Sequence, residues 1–191
     1  MDWIKAFPRK MILPPNSRQV VRLVAKPPKD LPDGEYWSRI VVRAQEGQTT
    51  IPVANGDDKI STKLNMIMQT VLVCKYRTGN LLSRLNVVNT EVIKTDTAVI
   101  ATIDMENKGN VSYVGLLDVK LKDADDKEIA SRQIDLAVYS VLSRRVVLPV
   151  NDHDYKEPLR VEVDINNEGR ADIDPEDMII GNNIEYSLVV P

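Results

Sequence analysis

The stretch that decides the fold is TKLNMIMQTVLVCKYR, residues 62–77. Successive side chains of a β-strand point to opposite faces, so Leu64, Met66 and Met68 would lie on one face, with polar residues among their neighbours. The second half, Val71–Cys74, is apolar on both faces. We therefore predict one long strand whose first half lies at a sheet edge and whose second half enters a hydrophobic core.

The rest of the chain has the pattern of an all-β protein. Clusters of Pro, Gly, Asn and Asp recur at short intervals and mark turns. Between them lie β-branched runs with a period of two, at Gln19–Val24, Arg39–Arg43 and Ala98–Ile103. Such runs at short spacing are typical of a sandwich or barrel. The best helical candidate, Ala130–Leu142, is interrupted by the β-forming sequence VYSV, so we interpret it as a strand and a connection.

The length of 191 residues allows two domains of roughly 100 residues each. The clearest boundary is the turn at Thr78–Asn80, which follows the quoted strand. We predict domains at residues 1–77 and 78–191. The second contains some seven strand candidates, enough for a complete sandwich, whereas the first contains about five.

Composition narrows the range of partners. The formal net charge of −3 argues against nucleic acid or a membrane surface as the main partner. Residues 1–60 carry a net charge of +3 and the remainder a net charge of −6. No stretch approaches the ~20 apolar residues of a spanning helix, so we expect no membrane insertion. The single cysteine, Cys74, excludes an internal disulfide, and we expect it to be a buried small hydrophobe.

Signals for enzymatic chemistry are weak. The single histidine, His153, lies in a polar loop, and the chain has no glycine-rich phosphate loop and no zinc-ligand spacing. The acidic segment 164–177 offers oxygen ligands for Ca²⁺, but its spacing differs from that of an EF-hand. We interpret this segment as a solvated turn, and we expect no enzymatic activity, cofactor or bound metal.

Three segments together carry a resemblance to a known family. They are PRKMILPPNSRQVVRL at residues 8–23, LPDGEY at residues 31–36, and the long strand that ends at Tyr76–Arg77. In this order they resemble the first domain of periplasmic pilus-assembly chaperones. The resemblance implies an all-β protein with two immunoglobulin-like β-sandwich domains. The first domain would be incomplete, because the chain begins about where the family's third strand would.

The resemblance also implies a mechanism and a set of site residues. In the family, the last strand of domain one donates alternate apolar side chains to a pilus subunit that lacks its own final strand, which is donor-strand complementation. Tyr76 and Arg77 would form the hinge. The partner-binding positions implied by the match are Leu64, Met66, Met68, Thr70 and Leu72.

The expected partner is thus a fimbrial or pilus subunit and the expected location is the periplasm, the signal peptide being absent from this chain. Missing opening strands also predict a homo-oligomer formed by strand exchange. The family places a basic anchor for the subunit's terminal carboxylate three residues before the tyrosine, where this chain has Val73. This difference keeps a second interpretation open, an extracytoplasmic adhesion or structural β-sandwich module without chaperone activity.

Overall fold

The computed structural model describes residues 3–45, 67–150 and 155–191. In this part of the chain, all regular structure is β-strand apart from one 3-10 turn at Pro175–Asp177, which confirms the all-β prediction. The chain divides into two compact units. The first unit comprises residues 1–31 and 36–76, and the second comprises residues 32–35 and 77–191.

Two pairs of strands account for the regular structure of the first unit. Strand β1 (Ile4–Phe7) pairs antiparallel with β2 (Arg22–Ala25), which is shorter than the predicted run at residues 19–24. Strand β3 (Gly34–Gln45) pairs with β4 (Ile67–Thr78) in a separate two-stranded sheet. The first two residues of β3, at positions 34–35, belong to the second unit. So do the last two residues of β4, at positions 77–78.

None of the described side chains of the first unit is buried. Its aromatic residues form one small cluster, in which the Trp3 ring meets Tyr36 edge-on at 6.3 Å and Tyr76 edge-on at 5.2 Å between ring centroids. Edge-to-face pairs add about 0.5–1.5 kcal/mol each beyond the area they bury. This cluster is a local contact between strands and not the centre of a closed core.

The second unit has seven strands in two sheets. One sheet has the order β5-β6-β9 and the other has the order β11-β10-β7-β8. The seven strands are β5 (Leu85–Lys94), β6 (Ala98–Asn107), β7 (Tyr113–Lys122), β8 (Glu128–Val138), β9 (Val141–Pro149), β10 (Arg160–Asn166) and β11 (Ile184–Val189). The predicted strand at Ala98–Ile103 is confirmed, and so is the interpretation of Ala130–Leu142 as a strand and a connection instead of a helix.

Both sheets of the second unit contribute to one hydrophobic core. From the three-stranded sheet, Ile103 and Met105 of β6 point inward, and from the four-stranded sheet, Leu117 of β7 and Val161 of β10 do so. Buried and less buried positions alternate along β6, β7 and β10, as expected for strands with one face in a core. The second unit therefore closes its own interior.

Candidate functional site

Strand β4 carries a run of exposed apolar side chains. Five of them are between 52 and 64% exposed, namely Ile67, Met68, Val71, Leu72 and Val73. Within the described residues β4 pairs only with β3, so no described strand covers its other edge. An exposed apolar edge strand is a template for pairing with another chain, and natural proteins usually cover or charge such an edge.

The structure describes three of the five predicted partner-binding residues. Met68, Thr70 and Leu72 lie at alternate positions of β4, on one face of the strand, and all three are exposed. Leu64 and Met66 lie outside the described residues. The role of all five in partner binding stays a prediction.

The prediction for the second half of the strand was wrong. Val71–Val73 were expected in a core but are about half exposed, and Cys74 is half-buried where full burial was expected. A side chain on either face of a strand pair is buried only where another layer packs over that face. The described part of the first unit contains no buried side chain, so it gives no sign of such a layer. The sequence pattern identified apolar residues correctly, but it could not show whether anything covers them.

Strand β3 extends the apolar surface. Trp37, Val41 and Val42 are between 41 and 51% exposed. The Arg39 guanidinium carbon lies 5.6 Å from the centroid of the Trp37 ring, a cation–π distance. Because neighbouring positions of a strand alternate between faces, the exposed residues of β3 and β4 make both faces of this pair apolar. We call these exposed residues of β3 and β4 the open strand pair.

The base of the open strand pair is held by a buried carboxylate. Arg77 Nε donates to Glu35 Oε2 at 2.9 Å, and the Ser112 hydroxyl lies 2.6 Å from Glu35 Oε1 as a hydrogen-bond donor. The Glu35 side chain is only 2% exposed, whereas that of Arg77 is 25% exposed. A buried charge is tolerated when an opposite charge and further hydrogen bonds satisfy it, and both conditions hold here.

An asparagine next to this carboxylate connects the same two segments. The Asn110 side-chain amide donates to the backbone oxygens of Asp33 at 3.2 Å and Asn80 at 2.8 Å, and its oxygen accepts from the Leu82 amide at 2.7 Å. The Asn80 amide in turn donates to the Asp33 carboxylate at 2.9 Å. We call the full set the basal network: Asp33, Glu35, Arg77, Asn80, Asn110 and Ser112.

All members of the basal network belong to the second unit. The sequence indicated this region only through the predicted hinge at Tyr76–Arg77 and the turn that follows. It did not indicate that residues 32–35 belong with the second unit, because their side-chain partners are 42 to 77 positions away along the chain. The structure places Arg77 in this network, while its role as a hinge stays a prediction.

The described residues contain no group of three or more His, Cys, Asp or Glu side chains that could hold a metal ion. His153 lies outside the described residues. Within the acidic segment, Arg170 pairs with the Asp172 carboxylate at 2.6 Å, and this contact lowers the pKa of Asp172. Among the described residues no helix is long and apolar enough to span a membrane.

Comparison with protein families, with curated proteins and with solved structures found no match to this chain.

Proposed function

We propose that this chain is a periplasmic chaperone-like protein that binds fimbrial or pilus subunits by adding strand β4 to the partner's unfinished sheet. One observation carries the proposal, the run of exposed apolar side chains on β4 beside an edge that no described strand pairs with. Contiguous exposed apolar surface of this kind marks interaction sites in soluble proteins.

The chemistry of the strand fits β-augmentation. Main-chain hydrogen bonds would supply affinity that tolerates sequence variation, while alternate side chains would enter pockets of the partner. Met68 and Leu72 lie on the same face of the strand, and both are exposed. Each such side chain contributes about 1.5–3 kcal/mol when it is fully buried, and flexible Met adapts to grooves of somewhat different shape.

The strand arrangement of the second unit supports the fold class that the proposal requires. The second unit has three strands in one sheet and four in the other, and the chain passes from one sheet to the other after β6, β8 and β9. Seven short strands in two antiparallel sheets with such crossings fit the immunoglobulin-like class. We propose that the second unit is a complete domain of this class and the first a partial one.

A second candidate function is favoured by Val73. The chaperone resemblance requires a basic anchor at this position, and Val73 is instead an exposed apolar residue that cannot form a charge-assisted hydrogen bond with a carboxylate. An extracytoplasmic adhesion or structural module needs no such anchor. That module would also have a β-sandwich fold but would not bind pilus subunits.

The proposed function is tested by placing a carboxylate on the donating face. We expect Met68→Glu and Leu72→Glu each to weaken binding to a purified pilus subunit that lacks its own final strand by at least tenfold, measured by titration calorimetry. The reason is that a charge carried into an apolar groove loses its hydration without a partner.

Gln69→Glu is the matched control, since it adds the same charge to the same strand at a position between the two. Its side chain lies on the opposite face and replaces a group that is already polar, so binding should change by less than about threefold, which corresponds to less than 1 kcal/mol. Undiminished binding of Met68→Glu and Leu72→Glu would contradict the donor role of β4. Absence of any subunit binding by the unmodified chain would favour the adhesion or structural module.

A further inference from the structure

The start of β3 and the end of β4 meet at one buried carboxylate, that of Glu35. Glu35 is the second residue of β3, and Arg77 is the last but one of β4. Their side chains form an ion pair with 2.9 Å between Arg77 Nε and Glu35 Oε2. A single carboxylate therefore links the base of one strand to the base of the other.

The same carboxylate is fixed from a third direction. The hydroxyl of Ser112, immediately before β7, approaches Glu35 Oε1 at 2.6 Å, and the Ser112 backbone amide donates to the same oxygen at 3.4 Å. The Arg77 side chain also donates through Nη1 to the backbone oxygen of Asp177. Hydrogen bonds to ionised groups are shorter and stronger than those between neutral groups, so these contacts hold Glu35 of β3 and Arg77 of β4 together within the second unit.

Burial along β4 falls with distance from this point. The five residues Cys74–Thr78 are half-buried, whereas the seven residues Ile67–Val73 are exposed. The described part of the first unit has no buried side chain that could hold the exposed stretch in place. Among the described residues, the side chains of β4 are therefore more buried at its base than along the rest of the strand.

We propose that Glu35 is a positioning residue, which keeps β4 paired with β3 so that the apolar stretch beyond it stays extended before a partner arrives. The effect of Glu35 on partner binding rests on the proposed function, whereas its effect on β4 does not. A strand that is already extended does not have to be ordered during association, and such preorganisation raises affinity. Glu35 would act on binding through β4 without touching the partner.

Hydrogen exchange of the full chain, followed by mass spectrometry from milliseconds to hours, tests the positioning role without any partner. In Glu35→Gln the side chain keeps its size and can still accept from Ser112, but it loses the charge that pairs with Arg77. We expect the amides of Cys74–Tyr76 and Tyr36–Ser38 to exchange at least tenfold faster than in the unmodified chain. Amides of β6 and β7, in the closed core, should change by less than twofold.

Glu106→Gln is the matched control, because Glu106 forms an exposed ion pair with Lys108 in the same unit; it should leave exchange in β3 and β4 unchanged. The proposal is overturned if Glu35→Gln leaves β4 exchange unchanged, if β4 amides already exchange without protection in the unmodified chain, or if β6 and β7 accelerate equally. Should Glu35→Gln fail to fold, Ser112→Ala keeps the ion pair and removes one donor. That variant must then accelerate β4 exchange at least threefold with β6 unchanged, and otherwise the proposal fails.

The binding assay separates this inference from the proposed function. If Met68→Glu leaves subunit binding intact while Glu35→Gln accelerates exchange in β4, the donor role is wrong and the positioning of the strand stands. If Met68→Glu abolishes binding while Glu35→Gln changes neither exchange nor affinity, the donor role stands and the positioning role is wrong.

Discussion

The two units of this chain both contain apolar β-strands, but these strands differ in how far their side chains are buried. In the second unit the apolar faces of two sheets meet, and residues such as Leu117 and Ile103 are completely buried. In the first unit comparable residues, such as Val71 and Leu72, stay about half exposed. Since burial of apolar area is the main favourable term in folding, the second unit has the interactions that stabilise a fold, whereas the described strands of the first unit leave apolar surface exposed.

The largest expected difference between the units comes from the same substitution made in each. Leu117→Ala removes a fully buried side chain and should lower the free energy of unfolding by about 3–4 kcal/mol. Leu72→Ala removes a side chain that is half exposed and should cost less than about 1 kcal/mol. Urea unfolding followed by circular dichroism measures both values. Equal losses at the two positions would show that Leu72 is covered in the folded chain, and the contrast between the units would fail.

A second test of the comparison follows how the stability of the chain depends on ionisation of Tyr113, a buried residue of the second unit, at high pH. Burial, with a smaller contribution from the Asp164 carboxylate, raises the pKa of Tyr113 to about 12. Between pH 10 and 12 the unfolded chain releases this proton while the folded chain retains it, so stability falls as pH rises. The loss from this group should approach about 2–3 kcal/mol at pH 12, at 1.36 kcal/mol per pKa unit.

The measurement is the free energy of unfolding of the unmodified chain and of Tyr113→Phe at several pH values from 9 to 11.5. At pH 9 the Phe variant should be less stable, because it loses the hydrogen bond from the Tyr113 hydroxyl to the Asn182 oxygen at 2.9 Å. This deficit should shrink as pH rises, since Phe has no proton to lose. A constant difference across the range would show that water reaches the phenol.

The smallest of these effects concerns the turn that follows β4. Gly79 has a φ of 69°, and a Cβ there would overlap the Asp33 carboxylate. Gly79→Ala should cost about 2 kcal/mol, from the left-handed conformation and from displacement of that carboxylate. Gly169 has a φ of 78°, but a Cβ there would meet its nearest neighbour, Leu116 Cδ1, at an ordinary contact distance of 3.5 Å, so Gly169→Ala should cost only about 1 kcal/mol.

Thermal or urea unfolding of the two alanine variants provides this comparison. Because the backbone strain is shared, the difference between them isolates the contact with Asp33 in the basal network. An equal loss in both variants would mean that Asp33 moves aside freely and contributes little to holding residues 33–35.

Local sequence patterns were sufficient for much of the fold. Alternation in the run Ala98–Ile103 predicted β6, and the β-forming sequence VYSV at residues 138–141 predicted a strand and a connection in place of a helix, where the structure has β8 followed by β9. These features depend on backbone propensity and on side chains a few positions apart. The apolar character of Val71–Val73 was equally visible, but its burial depends on whether another layer covers the strand, which local periodicity does not encode.

The basal network shows the second limit of the sequence. Glu35 and Arg77 are 42 positions apart, and Glu35 and Ser112 are 77 apart. Each is an ordinary polar residue beside a turn when only its neighbours are considered. Their convergence results from packing of the whole second unit, so neither the buried carboxylate nor the Asn110 contacts could be predicted.

The membership of residues 32–35 in the second unit has a consequence for how this chain can be divided. The second unit is a discontinuous domain, and residues 36–76 are formally an insertion into it. A fragment that starts at Arg77 would leave the Asn110 side chain without Asp33 and Ser112 without the Glu35 carboxylate. Deleting the insertion and joining Glu35 to Arg77 through a short linker would keep both. The self-contained module is therefore obtained by removing residues 36–76 together with residues 1–31, and not by starting the chain at Arg77.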